Sequence, residues 1–312
     1  MDGILVIDKP QRFTSHDVVA RVRHLLGTRR VGHLGTLDPM ATGVLPLVIG
    51  RATRLAPFVS KDPKIYEATI KFGVETDTYD LTGNILPREF DVNLKTQTIT
   101  HKDIEIASQP FRGTFFQQPP PFSAKKINGV RAYQLARQKK PVKPRAVEVT
   151  MHKFEIHSLK DDRLNCRVTC SPGFYMRSLA HDLGSSLGCG GCIASLRREQ
   201  SGTFNSNNAV TLDTLEREEL NAEHRLVPLA ELLPELQGVV VTEKGCRLVA
   251  HGNALSLNEI EHQRNSPYQL INSRITKIKN KKPLKIYNQR GMLLAIGEMD
   301  SSNVLHPKIV LV

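Results

Sequence analysis

The stretch Gly32-His33-Leu34-Gly35-Thr36-Leu37-Asp38-Pro39 is the most informative in the chain. Gly32 and Gly35 permit backbone angles closed to other residues. Pro39 fixes its own φ and biases Asp38 toward extended geometry. Too short and too glycine-rich to be a packed element, the stretch reads as a stiff loop that presents one acid. Two roles are open to that acid. In an Asx-type turn, Asp38 bonds neighbouring backbone N–H groups. Alternatively, following directly on the basic Arg29-Arg30, it is a carboxylate offered to a polyanion.

Outward from this loop the pattern alternates strands and helices. Residues 3–7 form a short apolar strand. Thr14 or Ser15 caps a helix with Val18, Val19, Val22, Leu25 and Leu26 on one stripe, and Gly27 stops it. Val44 to Gly50 reads as a buried strand. Tyr66, Ala68, Ile70 and Phe72 alternate with Glu67, Thr69 and Lys71, which predicts a half-buried strand. Gly73 to Gly83 is polar and loop-like. From Ser123 to Val147 there are eight Lys or Arg and no acid, with prolines at both ends and a short helix around Tyr133, Leu135 and Ala136. This region, 117–147, reads as a surface insertion that meets a phosphate backbone, or else as a solvated basic loop. Residues 147–156 and 163–170 predict paired strands, and 174–187 a helix with Arg177 in its first turn. The helix dipole does not favour a cation there, so Arg177 has either a specific anionic partner or simple solvent exposure. Leu212 to Leu233 reads as one acidic amphipathic helix ending at Pro234. Composition shifts near Gln237-Gly238. Beyond it a small β-rich unit follows, with a basic run from Arg274 to Lys285 and strands near 284–287, 291–297 and 304–312.

Composition narrows the chemistry. Lys and Arg number 43 against 31 Asp and Glu, a formal charge of +12 that suits nucleic acid or another polyanion. The start of the chain lacks a signal-peptide layout, and no apolar run approaches the roughly 18 residues of a membrane span; a cytoplasmic, soluble protein without membrane attachment is expected. No P-loop, dinucleotide fingerprint, HxxxH helix or nucleophile elbow is present. Cys166 and Cys170 share parity with Leu164 and Val168 and read as one buried strand face. Cys189 and Cys192 fall in a loop after Gly188, and Cys246 is unpaired. A zinc site or disulfide framework is therefore not expected. What remains is a basic two-domain protein with one stiffly held acid, either an RNA-modifying enzyme working without metal or cofactor or a non-catalytic RNA binder.

Several long motifs then occur in order: Gly3–Pro10, Gly32–Pro46, Lys64–Tyr66 with Gly73–Gly83, Pro119–Gly129, Ala132–Arg137, Gly173–Gly188 and Leu196–Phe204. Together they resemble bacterial tRNA pseudouridine synthases of the TruB class, which convert uridine 55 of the TΨC arm to pseudouridine. The resemblance implies an α+β fold. Residues 1–237 would be a catalytic domain on a mixed, largely antiparallel sheet with flanking helices, with 117–147 as its RNA-clamping insertion. Residues 238–312 would be a small barrel-like PUA domain for the acceptor-stem side of tRNA. It implies Asp38 as the catalytic aspartate, Tyr66 as the residue that stacks on the target base and assists proton removal from C5, and Arg177 as the partner of Asp38. Lys9 supports the pocket, His33 enters the T-loop, Lys126 belongs to the closing insertion, Tyr175 sits beside Arg177, and Leu196 walls the uracil pocket. No cofactor, no metal and no obligatory protein partner are implied, and a monomer is expected. Two rivals stand beside this reading: a tRNA-folding chaperone, which could coexist with the enzyme, and a guide-RNA-dependent synthase, against which the long insertion argues. Gln138-Lys139-Lys140 replaces glycine found in many members, and the run Lys277 to Lys285 is unusual for the C-terminal unit.

Overall fold

Gly3–Lys9 is apolar at nearly every position, and it forms a strand buried on both faces. It lies at the heart of the computed structural model, which describes residues 1–59, 63–87, 99–127, 129–138, 140, 142–217, 223–261 and 283–312. In chain order the strands are β1 Gly3–Lys9, β2 Val31–His33, β3 Thr42–Ile49, β4 Lys64–Phe72, β5 Gly113–Gln117, β6 Lys126–Ile127, β7 Val130–Arg131, β8 Val147–Lys160, β9 Arg163–Cys170, β10 Gly191–Ser201, β11 Phe204–Asn205, β12 Val210–Thr211, β13 Val227–Pro228, β14 Gly238–Val240, β15 Pro283–Tyr287, β16 Leu293–Met299 and β17 Leu305–Val310. Among the described residues, eleven of these form one sheet along the path β12-β1-β3-β10-β4-β9-β8-β5, with β2, β11 and β13 added at its sides. Within this sheet, among the described residues, only β1–β12 and β3–β10 run parallel. The architecture is therefore α+β on a mixed, mostly antiparallel sheet, as expected.

The sheet buries its two faces in different ways. Leu5, Ile7, Leu45, Leu47 and Ile49 point into a core shared with Val18, Val22, Leu179 and Leu183 of two helices, Ser15–Leu25 and Met176–Ser186. The alternate residues Ile4, Val6, Val44 and Val48 point the other way, into a core with Val240, Tyr287, Leu293, Ile296 and Leu311 of the C-terminal strands. The period-2 geometry of β1 and β3 thus feeds two cores at once. Tyr287 Oη donates to the Ala230 carbonyl at 3.2 Å across the same junction.

Several expectations need correction. Among the described residues the C-terminal strands form an open sheet in the order β14-β15-β16-β17 and no closed barrel. One of its faces is covered by β1 and β3, and the other packs with Val249 of the helix Glu243–Ala250 and Leu255 into a core of the unit's own. The single helix read over 212–233 is also absent. Among the described residues of that stretch the α-helix covers Leu212–Arg217, and Val227–Pro228 instead pairs antiparallel with Gly3 and Ile4 of β1. Pro228 has no N–H and cannot continue a helix, whereas at a strand edge it is tolerated. Residues 218–222 of that predicted helix, and most of the basic run 274–285, lie outside the described residues. Cys192 sits on β10 and is buried, rather than in a loop. Strand β10 itself, between β3 and β4, carries no legible alternation. The helix His101–Ser108 was missed, although Thr100 and Asp103 form its capping box.

Candidate active site

The loop before Asp38 is pinned from two sides. Ser15, buried at the start of its helix, donates to the Leu37 carbonyl at 3.2 Å and accepts from the Leu37 N–H at 2.9 Å. The Arg12 N–H reaches the Pro39 carbonyl at 2.7 Å. Lys9, fully buried, donates to the carbonyls of Pro10 at 2.8 Å and Phe13 at 2.7 Å, with Pro39 at 3.5 Å. Burial pulls the Lys9 ammonium down to about 8, against the pull of the Asp38 charge. Gly35 needs its glycine, with φ at +85°. Gly32 does not: it lies in β2 with ordinary strand geometry, paired with Val48, so only one of the two glycines does what the sequence reading assigned to both.

The turn after Asp38 is closed by its own carbonyl, which accepts from the Ala41 N–H at 3.1 Å. The carboxylate is thereby left for a distant partner. Arg177 Nε donates to Asp38 Oδ2 and Arg177 Nη2 to Asp38 Oδ1, both at 2.8 Å. Such a bidentate fork fixes distance and plane together. Two further donors are also engaged, one on Nη1 with the Thr78 carbonyl and the second on Nη2 with the Phe122 carbonyl, each at 2.9 Å. Asp80 Oδ2 lies 3.8 Å from Nε. The Arg177 side chain is 5% exposed while that of Asp38 is 33% exposed, so the acid stays reachable although its partner is sealed. The anionic partner expected for a first-turn arginine is therefore Asp38.

Around this pair the helix start is held by Gln117, whose side chain bonds Tyr175 N–H at 2.8 Å and the Tyr175 carbonyl at 3.0 Å. Tyr66 on β4 is buried, and burial pushes its phenol up while Arg198 beside it works in the opposite direction. Leu196 on β10 faces Ala68 in register and is buried. His33 ends β2 with its ring edge-on to His16 at 5.6 Å. Lys126 is exposed on the small β6–β7 hairpin, and it is not part of the cluster around Asp38. A groove of about 420 Å³ includes Leu196, Met40 and Thr42 but none of Asp38, Tyr66 and Arg177. The ion pair, not the concavity, therefore marks the chemistry.

Two residues escaped the sequence reading. Asp80 is buried and receives the Thr82 N–H at 2.9 Å and the Thr78 hydroxyl at 3.0 Å. Arg198 is fully buried on β10, opposite Tyr66, and donates to the carbonyls of Val44 at 2.7 Å and Gly35 at 3.1 Å. Its only signal was a second arginine in Leu196-Arg197-Arg198. There Arg197 takes the exposed parity, in a bidentate pair with Asp8 at 2.9 Å, which leaves Arg198 pointing inward.

The family model described as TruB family pseudouridylate synthase (N terminal domain) matches residues 23–176. A second, described as tRNA pseudouridylate synthase B C-terminal domain, matches residues 177–238. The chain belongs to the TruB family. A relative named tRNA pseudouridine synthase B from Solibacter usitatus is 42% identical over 315 residues, covering 100% of both chains. Another of that name from Thermobifida fusca is 44% identical, covering 82% of this chain and 87% of its own. Among solved structures, a chain of a Cbf5-Nop10-Gar1 complex superposes with a TM-score of 0.69 at 23% identity, covering 99% of this chain and 85% of its own. That likeness is one of fold. Neither family match extends past residue 238. No helix among the described residues is long and apolar enough to cross a membrane.

Proposed function

We propose that this TruB-family chain isomerises uridine 55 in the T-loop of tRNA to pseudouridine, with Asp38 as the nucleophile. The observation that carries this reading is the bidentate Asp38–Arg177 pair, an accessible carboxylate held by a buried guanidinium. A uridine in a folded loop must leave its stack first, at a cost of a few kcal/mol. Tyr66 returns part of that by stacking on the everted base, roughly 1–3 kcal/mol, and His33 enters the loop in its place. Asp38 attacks the flipped nucleotide, a covalent route open to carboxylates, and Arg177 keeps it aimed through the bidentate pair. The C1′–N1 bond breaks, the uracil turns, C1′–C5 forms, and the bond to Asp38 breaks to restore its free carboxylate. The proton lost from C5 is balanced by one gained at N1, so no external reactant is consumed. Tyr175 and Leu196 border the base, and Lys9 supports the loop from behind.

The finer assignments belong to the same proposal. Residues 1–237 act as the catalytic unit and 238–312 as a PUA-like RNA-binding unit on the acceptor-stem side. The basic insertion at 117–147, with Lys126, closes over the RNA. The enzyme acts as a monomer in the cytoplasm, needing no guide RNA. Asp38→Asn is expected to abolish tritium release from C5-labelled tRNA while leaving tRNA affinity within about tenfold, because phosphate contacts dominate binding. Normal turnover by that variant would sink the assignment. Tritium release by the pure parent chain on a bare TΨC stem-loop tests the guide-free reading. Rescue of growth by Asp38→Asn in a strain lacking the enzyme would point to tRNA folding as the function that matters.

A further inference from the structure

Arg177 owes two of its contacts to the segment 75–86, namely the Thr78 carbonyl and Asp80. The next residue after Thr78 is Tyr79, which adopts a left-handed φ of +63°. A bulky residue holds that conformation only where its surroundings over-determine it. The surroundings are specific here. The Tyr79 ring lies flat on the imidazole of His181, with centroids 3.9 Å apart and planes 4° from parallel. The Tyr79 carbonyl accepts from the Ile193 N–H of β10 at 3.0 Å, and its own N–H donates to the Thr76 carbonyl at 3.2 Å. His181 Nδ1 also lies 3.1 Å from Glu75 Oε1, within ion-pair reach though off the line of a hydrogen bond. The Glu75 carbonyl in turn accepts from the Leu86 N–H at 2.9 Å, which closes the segment on itself.

His181 is four residues after Arg177 in the helix Met176–Ser186, and side chains at that spacing lie on one face. The helix therefore grips the same segment twice, one turn apart, by Arg177 at Thr78 and Asp80 and by His181 at Tyr79 and Glu75. The two grips have opposite consequences. Arg177 is the member that meets Asp38, so any slip of the segment swings the guanidinium away from the carboxylate. His181 and Tyr79 touch neither Asp38 nor Arg177 through any of these bonds.

We propose that the Tyr79–His181 stack is a positioning device for catalysis: it locks segment 75–86 onto the helix so that the Thr78 carbonyl and Asp80 aim Arg177 at Asp38. This rests on the reading of Asp38 and Arg177 as the reacting pair. Tyr79 and His181 are positioning residues.

The test uses the full chain and unmodified tRNA transcript, with single-turnover tritium release, filter binding and thermal melting. Tyr79→Phe keeps the ring and is expected to react within about twofold of the parent. Tyr79→Gly accepts the left-handed φ without strain but removes the ring. Its rate at saturating tRNA is expected to fall about tenfold or more, since small misplacements of an orienting group are that costly, with the dissociation constant within about twofold. His181→Ala, which retains a good helix former, is expected to show the same split. A rate within about twofold of the parent for either folded ring-deleting variant overturns the proposal. So does a loss confined to tRNA affinity or melting temperature. Should Tyr79→Gly melt below the assay temperature, His181→Ala decides alone. Asp38→Asn run in parallel separates the two levels. An active Asp38→Asn overturns the reacting pair itself, whereas an inactive one beside a full-rate Tyr79→Gly overturns only the positioning role.

Discussion

Asp38 is informative because of what its carboxylate does not bind. Its carbonyl closes the local turn, and both carboxylate oxygens go to Arg177. The sequence by itself leaned toward a turn acid over a presented acid, because the partner lies far along the chain and spacing cannot reveal it. Arg198 was harder still. An arginine buried at 1% exposure inside a strand contradicts the usual preference of that residue for the surface. Replacing it with Leu strands the carbonyls of Val44 and Gly35, each at a cost of about 1–3 kcal/mol. We expect Arg198→Leu to lower the urea midpoint measurably and to slow tritium release, because Gly35 and Tyr66 both lose their common neighbour. His33 offers a pH test. Burial, with His16 and Arg198 adding to it, lowers its imidazole from 6.5 to about 4. As pH falls, the unfolded chain takes up this proton first, so stability present above pH 6.5 is lost on the way to pH 4. The shift corresponds to about 3 kcal/mol at most, reduced by solvent screening at the partly exposed ring. His33→Asn should flatten the melting-temperature decline over that window, and an unchanged slope would assign the acid sensitivity elsewhere.

The helix Ser15–Leu25 shows how an element delivers a residue. Thr14 caps it, with Asp17 completing the box, and that frees Ser15 to bond both polar groups of Leu37. The sequence allowed either Thr14 or Ser15 as cap; the answer gives the second hydroxyl a different task. Ser15→Ala should therefore cost about 1–3 kcal/mol and speed hydrogen exchange at the Leu37 amide, whereas Thr14→Ala should cost about 1 kcal/mol and act on the helix alone. Strands with clean alternation, such as β4, were legible because one face is buried and the other is not. Strand β10 was not, since Ser195, Arg197, Glu199 and Gln200 make it look like surface. It is nonetheless central, because its polar side chains are paired with Thr69, Asp8 and Arg197 itself. The helix over 212–233 failed for the converse reason: its apolar spacing is genuine, but Pro228 and the unfilled edge of β1 claim the chain first.

The charge of +12 is a property of the entire chain. It sets an expectation that tRNA affinity falls steeply between low and physiological salt. Replacing Lys125, Lys126 and Arg131 with Gln should reduce the log–log slope by nearly one for each phosphate that is no longer neutralised. Filter binding across a salt series measures this directly, and a flat dependence would remove the basic surface from the binding account. The shape of the C-terminal unit was less legible than its strands, because hydrophobic pattern reports which positions are buried and not against what. Ile4 and Val6 lie on one edge of that question and Tyr287, Ile296 and Leu311 on the other. A ribosome adds residues in order, so the strip of Ile4, Val6, Val44 and Val48 is made long before its cover. Until residues 287–311 emerge, that strip lacks the part of its cover supplied by Tyr287, Leu293, Ile296 and Leu311, and incompletely covered apolar surfaces are what make slow, non-local folds prone to associate. The core behind the strands that carry the Asp38 loop is thereby completed only by the far end of the polypeptide.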